Sequence, residues 1–307
     1  MLKITCRLPT VFYAGCLGAL LLPGAARGQY IVYASSQQGS MVSEYSSLDG
    51  TYLGSLPNSN LSAPEGLALN SQGDLFVASY GNFRIEEFSP TGTDLGAFAT
   101  TGTANPYDVA FNAAGNLFVS YPYANGGSIE EFSPNGADLG TFITTSFQAY
   151  YFVINSSGDF LVGDLDGSKI EEYSPTGQDL GTYISNSFVS APTGMAINSQ
   201  GDLYIGDNNT NRINEFSPTG SYLGYIQSSV PRGIAFDPFD SLYVDLDGSY
   251  TLEKYSPTGQ DLGQFADSSH LSEPMGLVVT PEPATWAWLA MGASIVPVAA
   301  KRLRKKS

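Results

Sequence analysis

Short apolar runs alternate with turn residues along most of the chain. A run such as Leu75-Phe76-Val77 is too short for a helix and apolar at consecutive positions, the pattern of a strand covered on both faces rather than one with a wet side. The segments between the runs are turn formers. In Ser89-Pro90-Thr91-Gly92 the serine accepts at the first position, proline presets φ at the second and glycine takes the fourth, which predicts a type I turn. Asn70-Ser71-Gln72-Gly73-Asp74 predicts a second hairpin, with Gly73 left-handed after a type I turn, and it recurs at 112–116, 155–159 and 198–202.

These pieces repeat as a unit. EEFSPTGTDLG at 86–96 returns as EEFSPNGADLG at 130–140, EEYSPTGQDLG at 171–181, NEFSPTGSYLG at 214–224 and EKYSPTGQDLG at 253–263, with a degenerate copy, SEYSSLDGTYLG, at 43–54. The marker aromatics Tyr45, Phe88, Phe132, Tyr173, Phe216 and Tyr255 are 43, 44, 41, 43 and 39 residues apart. Four short strands per repeat of this length make a propeller blade. A first-strand segment appears as PEGLALN (64–70), PYDVAFN (106–112), AYYFVIN (149–155), PTGMAIN (192–198) and PRGIAFD (231–237). A sixth, PMGLVV (274–279), has no further strands after it, whereas 29–56 has three strands and lacks a first. The two fragments complete one blade. The expectation is an all-β, six-bladed β-propeller over 29–280, closed by 274–279 against the N-terminal strands, with no helix in the body.

The segment PTGMAINSQGDLYIGDNNTNRINEF (192–216) closely resembles NHL repeats, and blade 3, with Ala149-Tyr150-Tyr151, departs most from them. The resemblance implies a propeller and no particular activity.

Charge narrows the function. The body carries 28 acids against five bases, Arg84, Lys169, Arg212, Arg232 and Lys254, a balance of −23. Such a surface repels phosphate backbones and argues against nucleic acid as a partner. The remaining bases lie at the two ends. Lys3 and Arg7 precede the apolar run 11–22, and Ala26 and Gly28 form a small-residue cleavage site, so 1–28 reads as a secretory signal peptide with Gln29 as the mature start. A rival reading takes Tyr13-Ala14-Gly15-Cys16 as a lipobox. Both cysteines, Cys6 and Cys16, fall in this leader, so cleavage after Gly28 leaves no disulfide.

At the other end, Pro281-Glu282-Pro283 is followed by seventeen apolar residues (284–300) and the basic cluster 301–306. A helix of that length spans about 25 Å, just short of a bilayer core, and the basic cluster would stay cytoplasmic. This order resembles the PEP-CTERM sorting signal. The resemblance implies a Gram-negative host, transient anchoring in the inner membrane by the tail (281–307), an exosortase as processing partner, and release to the cell surface or outside. A plain C-terminal anchor is the alternative, and it gives no reason for the Pro-Glu-Pro.

Residues shared by all blades serve folding, so function is sought where the copies differ. The residue before each first strand is Glu65, Tyr107, Tyr150, Thr193, Arg232 and Met275 in turn, with Asp108 beside Tyr107, and the six are expected to circle one mouth of the channel. Tyrosines with one arginine and acids suit a polar or carbohydrate ligand; the same residues could equally pack against one another as a plug. Asp164 and Asp166, echoed by Asp245 and Asp247 in a second DLDGS, suit Ca²⁺, the one ion the pattern points to, or else an ordinary Asp-Gly hairpin. No motif implies another cofactor. Glu86-Glu87, Glu130-Glu131 and Glu171-Glu172 repeat at one place and read as a solvated outer stripe. His270 is the only histidine, which leaves little scope for zinc or for Ser–His chemistry. The functional expectation is a binding or scaffold module for extracellular polysaccharide or protein, with a metal-dependent hydrolase or lactonase as the alternative.

Overall fold

The computed structural model describes residues 30–57, 60–124, 126–185 and 188–281. The expected signal peptide and, beyond Pro281, the expected tail lie outside the described residues. Six four-stranded antiparallel sheets form the six blades of a propeller. Blade 1 comprises Pro64–Leu69, Leu75–Ser79, Arg84–Phe88 and Asp94–Thr100. Blades 2 to 5 begin with the inner strands Val109–Phe111, Ala149–Ile154, Pro192–Ile197 and Pro231–Phe236.

Blade 6 joins the two ends of the body. Its inner strand, Pro274–Pro281, pairs antiparallel with Tyr30–Ser36, and Met41–Ser46 and Tyr52–Ser55 complete the sheet. The register sets Val32 opposite Val279 and Ile31 opposite Thr280. The inner strand runs two residues past the expected 274–279, because Ile31 and Tyr30 still offer partners to Thr280 and Pro281.

Each of six apolar clusters lies between two blades. Ala68, Phe76 and Ile85 of blade 1 meet Val109, Val119 and Phe132 of blade 2, and equivalent sets fill the other five interfaces, including that between blades 5 and 6. Leu75, Phe76 and Val77 are all buried, as their two-faced apolar pattern requires. Burying a side chain of this size is worth about 1.5–3 kcal/mol, and every blade spends both faces on neighbours, so no blade is an independent unit.

The turns take the expected form. Gly92 donates to the Ser89 carbonyl at 2.8 Å with φ at 74°, and Gly73 donates to the Asn70 carbonyl at 3.1 Å with φ at 85°. Asn70 Oδ1 also accepts from the amides of Gln72 and Asp74.

Two expectations are corrected. Among the described residues the body has two three-residue 3₁₀ turns, Tyr80–Asn82 and Ser268–His270, where the chain bends tightly between strands. The paired glutamates are not a solvated stripe: Glu86 and Glu171 are buried, and Glu87, Glu130, Glu131 and Glu172 are half-buried. The third strand is covered by the linker arriving from the previous blade, which the repeat pattern does not reveal. At the position of Glu86 in other blades, Asn214 Nδ2 donates to the Phe188 carbonyl and Ser43 Oγ to the His270 carbonyl, both in such linkers.

Candidate functional site at the mouth of the ring

The inner strands approach one another most closely at the glycine of Pro-x-Gly. A Cβ on Gly194 would lie 2.0 Å from the Arg232 carbonyl oxygen, and one on Gly276 2.5 Å from that of Glu65. Glycine there allows backbone-to-backbone contact around the axis. Blades 2 and 3 carry Asp108 and Tyr151 instead, and these side chains occupy the centre.

Two cavities share Tyr151. One, of about 320 Å³, follows the axis and is lined by Asp108, Tyr151 and apolar residues of the inner strands, among them Val109, Phe152 and Ile234. The other, of about 260 Å³, opens at the mouth and is lined by Tyr107, Tyr123, Tyr150, Tyr151, Leu165, Pro192, Thr193, Asn208 and Arg232. The variable loops of blades 2 to 5 therefore converge at this rim, and blades 1 and 6 add no described residue to its lining.

The mouth is a tyrosine cluster. Tyr107 packs edge-on against Tyr150 at 5.0 Å, Tyr151 at 5.3 Å and Tyr80 at 6.4 Å, and Tyr150 against Tyr123 at 5.7 Å. The Tyr150 hydroxyl reaches the Tyr123 hydroxyl at 2.9 Å and Gln148 Oε1 at 2.8 Å. Tyr123 is 58% exposed and forms the outer wall. Arg232 Nη2 pairs with Asp247 Oδ2 at 3.3 Å, and Nη1 rests on the Met275 sulfur. Thr193 Oγ1 donates to the Pro231 carbonyl at 2.7 Å. Asn208 Oδ1 is buried and has no partner among the described residues.

Of the six residues expected to circle the mouth, Tyr107, Tyr150, Thr193 and Arg232 line it. Glu65 and Met275 are buried, and Asp108 lines the axial cavity. Glu65 Oε1 accepts from Gln37 Nε2, and its Oε2 has no partner among the described residues. Burial pushes the Glu65 carboxyl up to about 8, against the pull of Gln37 and Arg232. Burial likewise raises Asp108 to about 7, although it accepts from the amides of Val109 at 2.9 Å and Phe152 at 3.1 Å. Asp245, wholly buried, is raised well above the usual range by desolvation. Glu65 and Asp245 lie close enough to Arg232 for its charge to pull their carboxyls down against that burial.

The two DLDGS loops stand apart. Asp164 Oδ1 accepts from the Gly167 amide at 2.7 Å and Oδ2 lies 3.8 Å from Lys169 Nζ. Asp245 turns inward while Asp247 meets Arg232. Among the described residues no three of His, Cys, Asp and Glu are grouped to hold a metal ion.

Sequence reasoning missed Tyr123, Tyr151, Asn208 and the inward turn of Asp245. The first three stood in view as departures: Tyr121-Pro122-Tyr123 where blades 3 to 5 have Asp-containing loops, Tyr151 in place of the inner-strand glycine, and Asn208 in a loop with no counterpart of the same sequence.

The NHL repeat model matches residues 190–216, a segment within blade 4. No curated protein matches the chain. Among solved structures it is similar to a protein of unknown function from Bacteroides caccae, at 14% identity and TM-score 0.68, over 83% of this chain and 100% of that one. It is also similar to virginiamycin B lyase from Staphylococcus aureus, at 14% identity and TM-score 0.61, over 83% and 92%. A chain of the nidogen/laminin complex matches at 14% identity and TM-score 0.70, over 82% and 98%. At these identities the likeness is one of fold.

Proposed function

We propose that this chain is an exported binding or scaffold module whose propeller mouth recognises a polar extracellular ligand, with exopolysaccharide or biofilm matrix as its setting. The observation that carries the reading is the convergence of four tyrosines, Arg232 and Asn208 on one open cavity. Tyrosine rings supply apolar faces with polar tips, and the volume falls just under the roughly 300–1,000 Å³ of drug-sized sites, which suits one ring-sized unit. The setting rests on the resemblance of the C-terminal segment to a PEP-CTERM signal, with an exosortase as the processing partner and the cell surface or medium as the destination. Of the solved relatives, one is named a lyase and one belongs to a protein–protein complex, which matches the use of this fold for both catalysis and binding. The metal-dependent hydrolase reading has no specific observation to carry it.

Binding of the full-length protein to purified extracellular polysaccharide and matrix protein, measured by biolayer interferometry, tests the reading. Tyr123→Ala and Tyr150→Phe are expected to weaken capture while leaving the thermal transition in place. Unchanged capture by both variants would remove the mouth from the function.

A further inference from the structure

We infer that the unit held in the mouth is a neutral, polyhydroxylated sugar ring, and that Asn208 selects it by accepting a hydroxyl. The inference rests on the mouth being a binding site and names its ligand class and a specificity residue.

Hydrogen-bond accounting around the cavity leaves groups of both kinds without partners. Asn208 Oδ1 is a buried acceptor with no donor among the described residues, and a buried polar atom left unpaired costs about 1–3 kcal/mol. Arg232 has five N–H donors, yet among the described residues its side chain meets only the Asp247 carboxylate and the Met275 sulfur. Thr193 is already committed to the Pro231 carbonyl, and Tyr150 to Tyr123 and Gln148. A ligand that completes this set must donate to Asn208 and accept from Arg232. A sugar hydroxyl does both, and a ring bearing several of them meets both residues while its C–H face lies on a tyrosine.

Charge decides between neutral and ionised sugars. Arg232, the one cation lining the cavity, repels an ammonium group. Its own charge is already balanced by Asp247, and the body as a whole carries an excess of 23 negative charges. A carboxylate or phosphate would have to displace Asp247 and enter that field. A neutral ring pays neither penalty.

The test uses the full-length protein and isothermal titration with the methyl glycosides of glucose, galactose and mannose, with glucuronic and galacturonic acids, and with glucosamine. At least one neutral glycoside is expected to bind, with the acids and the ammonium sugar weaker by about 10-fold or more. Asn208→Ala should weaken the neutral sugar about 10-fold, one neutral hydrogen bond's worth, while Asn208→Asp, which keeps the acceptor, should stay within a few-fold. Asp247→Asn, by freeing Arg232, should raise the affinity for a uronic acid. Tighter binding of a charged sugar by the native protein would overturn the inference. So would unchanged affinity in an Asn208→Ala protein whose circular dichroism and melting match the native. If Tyr123→Ala abolishes matrix capture while none of these sugars binds, the ligand class falls and the mouth stands.

Discussion

Ser35 and Asp245 occupy the same register position in blades 6 and 5. Ser35 lies between the residues paired with Leu277 and Pro274, and Asp245 between those paired with Ile234 and Pro231. Ser35 Oγ accepts from the Gly276 amide at 2.8 Å and donates to the Glu65 carbonyl at 2.6 Å, which ties blade 6 to blade 1. Ser120 does the same between blades 2 and 3, with the Asp108 amide at 2.9 Å and the Tyr150 carbonyl at 2.8 Å. Asp245 faces the corresponding atoms: a Cβ on Gly233 would sit 2.3 Å from its Oδ2 and 3.0 Å from the Met275 carbonyl oxygen. Only the protonated carboxyl can accept on one side and donate on the other as serine does. Asp245→Ser is therefore expected to fold, and to keep the joint between blades 5 and 6 closed at high pH. Amide exchange of 274–281 at pH 9 checks this: faster exchange in the native protein than in the variant is the expected result.

Stability should fall as pH rises. Glu65, Asp108 and Asp245 all have carboxyls raised on folding, chiefly by desolvation, so the folded state binds protons more tightly than the unfolded chain. Their contribution is greatest below the unfolded values, 4.5 for Glu65 and 3.8 for the aspartates, and it declines up to about 8 for Glu65 and about 7 for Asp108. Within its window each group removes up to about 1.4 kcal/mol per pH unit. Melting at pH 5 should exceed that at pH 8, and Glu65→Gln should flatten the profile. A profile as steep in the variant as in the native protein would show that Glu65 is not part of the cause.

Two glycines should respond oppositely to a methyl group. Gly194→Ala would bring Cβ to 2.0 Å from the Arg232 backbone, which has no flexible end to yield, and a loss of about 3 kcal/mol or more is expected. Gly224 has nothing within 4 Å, and Gly224→Ala should be neutral or stabilise by about 0.5 kcal/mol. Urea unfolding of both variants compares them directly.

Glu86 is buried, and neither carboxylate oxygen has a hydrogen-bond donor among the described residues, with Arg84 Nη1 at 3.7 Å. Glu86→Gln keeps the shape and removes a carboxylate whose ionisation burial disfavours. It also places an amide where Asn214 uses one to hold its linker. A gain of about 1 kcal/mol at pH 8 is expected, shrinking at pH 5.

Val230 is β-branched yet has φ at 49°, immediately before the Pro231 that opens the inner strand of blade 5. Asparagine tolerates that conformation better. Val230→Asn should raise the melting temperature by relieving strain of about 1 kcal/mol; a lower melting temperature would mean that the half-buried isopropyl group outweighs it.

The repeat made the fold legible because each blade is written locally. Ser89-Pro90-Thr91-Gly92 closes its turn with its own side chains, and Leu75-Phe76-Val77 declares two covered faces without reference to anything distant. Even the closure of blade 6 was readable, since a first strand without a blade at 274–279 and a blade without a first strand at 29–56 leave one way to satisfy both edges. What the chain could not state was depth. Glu65 and Tyr107 hold the same place in their repeats, yet one is buried and the other lines the mouth, because Gln37 of blade 6 covers Glu65. The glutamate pairs looked solvated because the linkers that cover them come from neighbouring blades. Asp245 and Asp247, two residues apart in one loop motif, part ways for the same reason: one is buried beside Gly233 and the other pairs with Arg232. Local hydrogen bonding and the period of burial are properties of a segment and can be read from it. Desolvation, the pairing of Arg232 and the orphaned Asn208 acceptor depend on which blades meet at the axis, and only the closed ring decides them.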